Sequence, residues 1–135
     1  MTPENAPPRV KVLVIGNDPT LRSGVVQYIG LINPSATVDE ASNHSDADEV
    51  ALSSEWDLII LELEHANELA GLHRLTQLQL NIPILVLTTA ASPDDVTAAL
   101  AAGASGCLNR GSAAREWKFA IESVASGSTY SGVRP

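Results

Sequence analysis

The 135-residue sequence predicts one α/β domain: a parallel sheet with helices on both faces. Three observations carry this. Five short apolar runs alternate with five stretches of helical periodicity. The runs are apolar at nearly every position, as strands buried on both faces are. The helical stretches open on capping residues, and two of them stop at glycine. Such alternation gives a doubly wound sheet, because right-handed crossovers place helices on its two sides.

The elements follow in order. Residues 1–9 are polar, carry three prolines and read as a disordered leader. Val10–Ile15 (VKVLVI) is the first strand. Asp18 and Pro19 then supply an N-cap and a first-turn proline, and Leu21, Val25, Tyr28, Ile29 and Ile32 recur at helical spacing. Thr37–Ala41 is a short strand, and Ser45 with Asp48 forms a capping-box pattern before Val50 and Ala51. Leu58–Leu63 is the third strand, followed by a helix around Glu68–Leu80. Pro83–Thr88 is the fourth strand, and Ser92-Pro93-Asp94-Asp95 opens a helix that ends at Gly103. Gly106–Asn109 is the last strand. Ser112 caps a final helix with Trp117, Ala120, Ile121 and Val124 on one stripe, ended by Gly127.

Composition excludes several functions. With 16 acidic and 8 scattered basic residues the formal charge is −8, which argues against nucleic-acid binding by this segment. Cys107 is the sole cysteine, so no internal disulfide forms, and it reads as a small buried hydrophobe rather than a redox sensor. No run approaches ~18 apolar residues, so no membrane span is expected and a cytoplasmic protein is the default. His44, His65 and His73 show no ligand spacing and read as surface residues. Trp56 and Trp117 read as core or rim packing. Phe119 lies off the buried stripe and reads as an exposed contact residue. No phosphate-cradling glycine loop, zinc-helix motif or nucleophile elbow is present, so an independent enzyme is not expected.

In a doubly wound sheet, function sits at the carboxyl ends of the strands. Those ends are Gly16-Asn17-Asp18, Glu62, Thr88-Thr89 and Arg110. Read in order, the motifs VKVLVIGNDP, DLIILE (Asp57–Glu62), PILVLT (Pro83–Thr88), ALAAGASGCLNRG (Ala99–Gly111) and EWKFAIESVASG (Glu116–Gly127) resemble the receiver domains of two-component response regulators. The resemblance covers about Val10 to Gly127 and is strongest to the subfamily with a C-terminal helix-turn-helix. It implies a flavodoxin-like (βα)5 fold with strand order 2-1-3-4-5. It also implies a receiver over residues 10–127 and a linker toward an output domain over 128–135.

The family moves a phosphoryl group from a kinase histidine to an aspartate, using a Mg²⁺ held by acids, a hydroxyl and a lysine. Matched residue by residue, this chain departs from that pattern. Gly16 and Asn17 stand where two metal-binding acids belong. Glu62 stands at the phosphoacceptor, Arg110 at the lysine and Cys107 at a usually aromatic switch position, and Thr88 alone is kept. Glu is longer than Asp by about one bond, and misplacements of ~1 Å lower rates on the order of 100-fold. The charges of Glu62 and Arg110 cancel, so no metal is invited and a bidentate pair would satisfy both.

The resemblance therefore implies a pseudo-receiver: a signalling and interaction module without cofactor or metal, controlling transcription through protein partners. A homodimer is expected, with a sensor kinase as an open question and DNA reached only through an output domain. Two rivals remain. Glu62 or Asp18 retains phosphoacceptor function, or a small ligand occupies a vacated pocket at Gly16, Asn17 and Thr89. Asp18 is read first as a helix cap and second as a displaced metal ligand.

Overall fold

The computed structural model describes residues 10–42, 44–64, 68–89, 92–112, 114–127 and 129–130, with side chains at all of these except 44–46 and 114. The leader 1–9, His65 and the last five residues lie outside them. The order is β1 (Lys11–Ile15), α1 (Pro19–Ile32), β2 (Thr37–Ala41), α2 (His44–Leu52), β3 (Leu58–Glu62), α3 (Ala70–Gln77), β4 (Ile84–Thr88), α4 (Pro93–Ala101), β5 (Gly106–Asn109) and α5 (Ala114–Ala125). All strands are parallel, in the order β2-β1-β3-β4-β5. This is the doubly wound fold that the sequence predicts.

Alternation along the strands divides the core. Val12, Val14, Leu58, Ile60, Leu85, Leu87 and Leu108 pack with Val25 and Ile29 of α1 and Ala120, Ile121 and Val124 of α5. Leu13, Ile15, Ile59, Leu61, Ile84, Val86 and Cys107 pack on the opposite side with residues of α2, α3 and α4. β3 and β4 are buried at all positions, so neither face of the central sheet meets water.

Capping chemistry sets the helix starts. Asp18 Oδ1 accepts from the Thr20 and Leu21 amides at 3.0 and 3.2 Å. Ser92 and Asp95 complete a reciprocal capping box at the start of α4. α2 begins at His44, so Ser45 sits inside the helix instead of ahead of it. Ala113, between Ser112 and α5, is outside the described residues.

α3 is shorter than the expected 68–80. Its N-cap is Leu69, which offers no side-chain acceptor, and Gln79 turns into the left-handed region at φ 55° beyond its other end. Trp56 is buried and donates its indole N–H to the Val50 and Ala51 carbonyls at 3.3 and 3.2 Å, while Lys11 lies 5.0 Å over its ring. His73 is exposed. Among the described residues no helix is long and apolar enough to cross a membrane.

Candidate functional site

Parallel register brings four strand ends together. Ile15 pairs with Leu61, Glu62 with Leu87 and Thr88 with Asn109, so Gly16-Asn17-Asp18, Glu62, Thr88 and Arg110 share the carboxyl edge. A cavity of about 340 Å³ opens there, lined by Asn17, Asp18, Glu62, Glu64, Glu68 and Arg110.

Glu62 is the center of this edge. It is 8% exposed, the last buried position of β3. Its Oε1 lies 3.5 Å from Arg110 Nη2, while its Oε2 is buried without a hydrogen-bond partner among the described residues. Burial pushes its carboxyl above the usual Glu range, and the nearby Arg110 guanidinium only partly offsets this. The bidentate pair expected from the sequence is therefore not formed. The reason is that Arg110 is shared: Nη1 stands 4.0 Å from Asp18 Oδ2, and Nη2 also donates to the Leu63 carbonyl at 3.5 Å.

Thr88 is fully buried, and its hydroxyl has no partner among the described residues; Arg110 Nε is in the same position. Cys107 is buried on the α2–α4 side, where burial raises its thiol to about 11, so it is not a thiolate at neutral pH. Phe119 is 62% exposed and packs edge-on against Tyr130, with centroids 5.8 Å apart.

Gly16 is not a vacancy. A Cβ there would lie 2.8 Å from Glu62 Cβ and 3.1 Å from its Oε2, so the Glu62 side chain already fills that space. The ligand pocket expected at Gly16, Asn17 and Thr89 is displaced accordingly. Of the three only Asn17 lines the cavity, and Thr89 Oγ1 donates to the Glu64 carbonyl at 3.4 Å.

Two features were missed by sequence reasoning. Glu64 and Glu68 line the cavity, so its rim is more acidic than the cancelling Glu62 and Arg110 charges suggest. Arg22 donates through Nη1 to the Gly16 carbonyl and through Nε to Glu40 Oε1 at 3.1 Å, fastening the end of β1. Its position four residues after the Asp18 cap, one turn into α1, was the available signal. Among the described residues no group of three His, Cys, Asp or Glu side chains could hold a metal ion.

A parallel 2-1-3-4-5 sheet with a buried carboxylate, a threonine and a cation at adjacent strand ends defines the receiver class of signalling domain. The chain belongs to the response regulator receiver domain family, whose model matches residues 12–122. It is similar to the nitrate/nitrite response regulator protein NarL of Escherichia coli K12, with 34% identity over 118 residues covering 86% of this chain and 55% of that protein. NarP of the same organism is 32% identical over 129 residues, 93% of this chain and 59% of that one. The chain thus spans little more than half the length of these relatives. Among solved structures, the signal receiver domain of NarL from Mycobacterium tuberculosis matches with TM-score 0.75 and 27% identity, covering 90% of this chain and 99% of that domain. A LuxR family regulator from Aurantimonas sp. SI85-9A1 shares the fold with TM-score 0.81 at 21% identity, covering 91% and 89%.

Proposed function

We propose that this chain is a pseudo-receiver: a receiver domain that signals without being phosphorylated, within a transcription regulator of the NarL kind. The observation that carries the reading is the packing of Glu62 on Gly16. The carboxylate at the phosphoacceptor position has one oxygen buried over Gly16 and the other 3.5 Å from Arg110. In-line attack on a phosphodonor needs a free carboxylate oxygen and a metal to neutralise the transferred group. Here the first metal-binding acid is replaced by the residue that makes room for Glu62.

In this reading Glu62 is a fixed charge, Arg110 its counter-ion, and Thr88 a retained but idle switch residue. The domain is a cytoplasmic interaction module and not an enzyme. It pairs with a second copy through the α5 face around Phe119, and reaches DNA only through an output domain.

The test is intact-protein mass after incubation with a small phosphodonor and Mg²⁺. The wild type gains no mass. The combined change Gly16→Asp, Asn17→Asp, Glu62→Asp and Arg110→Lys gains one phosphoryl group. A phosphorylated wild type overturns the reading.

A further inference from the structure

β5 is an edge strand, yet its outer side is not bare. Tyr130 forms a parallel bridge to Gly106, donating its amide to the Ser105 carbonyl at 2.9 Å and accepting from the Cys107 amide at 2.9 Å. The seat is shaped for this contact. A Cβ on Gly106 would fall 2.9 Å from the Tyr130 carbonyl oxygen and 2.9 Å from Val124 Cγ2, so only glycine lets the segment come this close. Side chains hold the same residue: the Tyr130 hydroxyl donates to Glu116 Oε2 at 2.5 Å, and its ring meets Phe119 edge-on.

We propose that Tyr130 is a latch on β5, closing and opening with the Arg110 end of the same strand. One bridging residue at a solvent-facing edge belongs to the least stable part of a fold, so it opens without the domain unfolding. On its inner side β5 follows β4, from Leu85–Gly106 to Thr88–Asn109, and the Arg110 amide extends this to the Thr88 carbonyl at 2.8 Å. The latch thus sits about 13 Å along one short strand from the residue that Asp18 and Glu62 share. A change in which acid holds Arg110 shifts β5 lengthwise, and the two main-chain bonds to Tyr130 are the contacts on its outer side that register the shift. The coupling rests on the carboxyl edge being the regulated end; the latch itself does not.

The experiment is amide hydrogen exchange by NMR on the whole chain. In wild type the Cys107 and Tyr130 amides are protected. Tyr130→Ala lowers Cys107 protection about tenfold while the Val86 amide in β4 is unchanged. Glu116→Ala, which removes the partner of the Tyr130 hydroxyl but keeps the ring contact with Phe119, gives a smaller loss at the same amide. Glu62→Gln alters Tyr130 protection about threefold or more if the two ends of β5 communicate. An unprotected Cys107 amide in wild type, or one indifferent to Tyr130→Ala, overturns the latch. Tyr130 protection unmoved by Glu62→Gln overturns the coupling. A phosphorylated wild type in the mass experiment would sink the pseudo-receiver reading and leave the latch standing.

Discussion

Gly16 and Glu62 are complementary: a side chain at position 16 would meet Glu62 Cβ at 2.8 Å and its Cδ at 3.0 Å. The longer acid on β3 and the missing side chain after β1 are one arrangement. Overpacking at a buried site costs about 1–3 kcal/mol. Gly16→Ala therefore lowers the melting temperature, and combining it with Glu62→Asp, which withdraws the carboxyl from that space, recovers part of the loss. Strictly additive effects in the double-mutant cycle would show that the two positions are independent.

The pH dependence of stability follows from Glu62. Burial raises its pKa in the folded state, so the native protein binds a proton more readily than the unfolded chain. Stability from this group is fully present below the ordinary Glu range and is lost as pH rises through the raised value. Glu62→Gln therefore melts no lower than wild type at neutral pH. The difference between them shrinks as acidification protonates Glu62, and a gap that widens on acidification would contradict the assignment.

Mg²⁺ has little to bind. Glu64 and Glu68 are exposed at the rim, and Glu62 is drawn toward Arg110. Among the described residues the octahedral shell that Mg²⁺ demands has no preformed set of ligands. Millimolar Mg²⁺ leaves the melting temperature and the Asp18 and Arg110 amide shifts unchanged. A saturable shift at those amides would reveal a site that Glu64 and Glu68 complete.

The α5 face carries the proposed self-association. Exposed aromatic residues are enriched at interfaces, and among the described residues Phe119 is one of three large exposed apolar side chains, with Leu31 and Leu52. Phe119→Asp shifts a dimer toward monomer in sedimentation with only a small loss of thermal stability, since the side chain is mostly exposed. A monomeric wild type at high concentration removes the proposal.

Helix α4 offers a purely local check. Ser92→Ala deletes one half of the capping box and costs about 1 kcal/mol. Chemical denaturation reads this as a lower midpoint with an unchanged slope.

The strands were legible because burial on both faces leaves a nearly unbroken apolar run, as in Leu58–Leu61. The starts of α1 and α4 were legible because Asp18, Ser92 and Asp95 cap through local bonds. Less visible were relations set by tertiary distance. Nothing around Gly16 announces that Glu62 will lie on it, and the sharing of Arg110 between Asp18 and Glu62 depends on three separate strand ends. Tyr130 lies in the stretch read as linker and carries no strand pattern, since a single bridging residue has no periodicity to show. The apolar spacing carries the expected α3 to position 80, because Leu78 and Leu80 continue it while Gln79 has already left the helix.

The two outer strands bear on how the molecule behaves in a crowded solution. β2 exposes Asp39 and Glu40, the latter tied to Arg22, and β5 is already paired with Tyr130. Unpaired flat edges are where folded proteins recruit strands from their neighbours and begin to polymerise. Like charges repel an approaching copy at one border of this sheet, and at the other the chain is its own neighbour. A fibre seeded from the native state would have to overcome one of these protections first, so resistance to edge-to-edge association rests on Asp39, Glu40 and Tyr130.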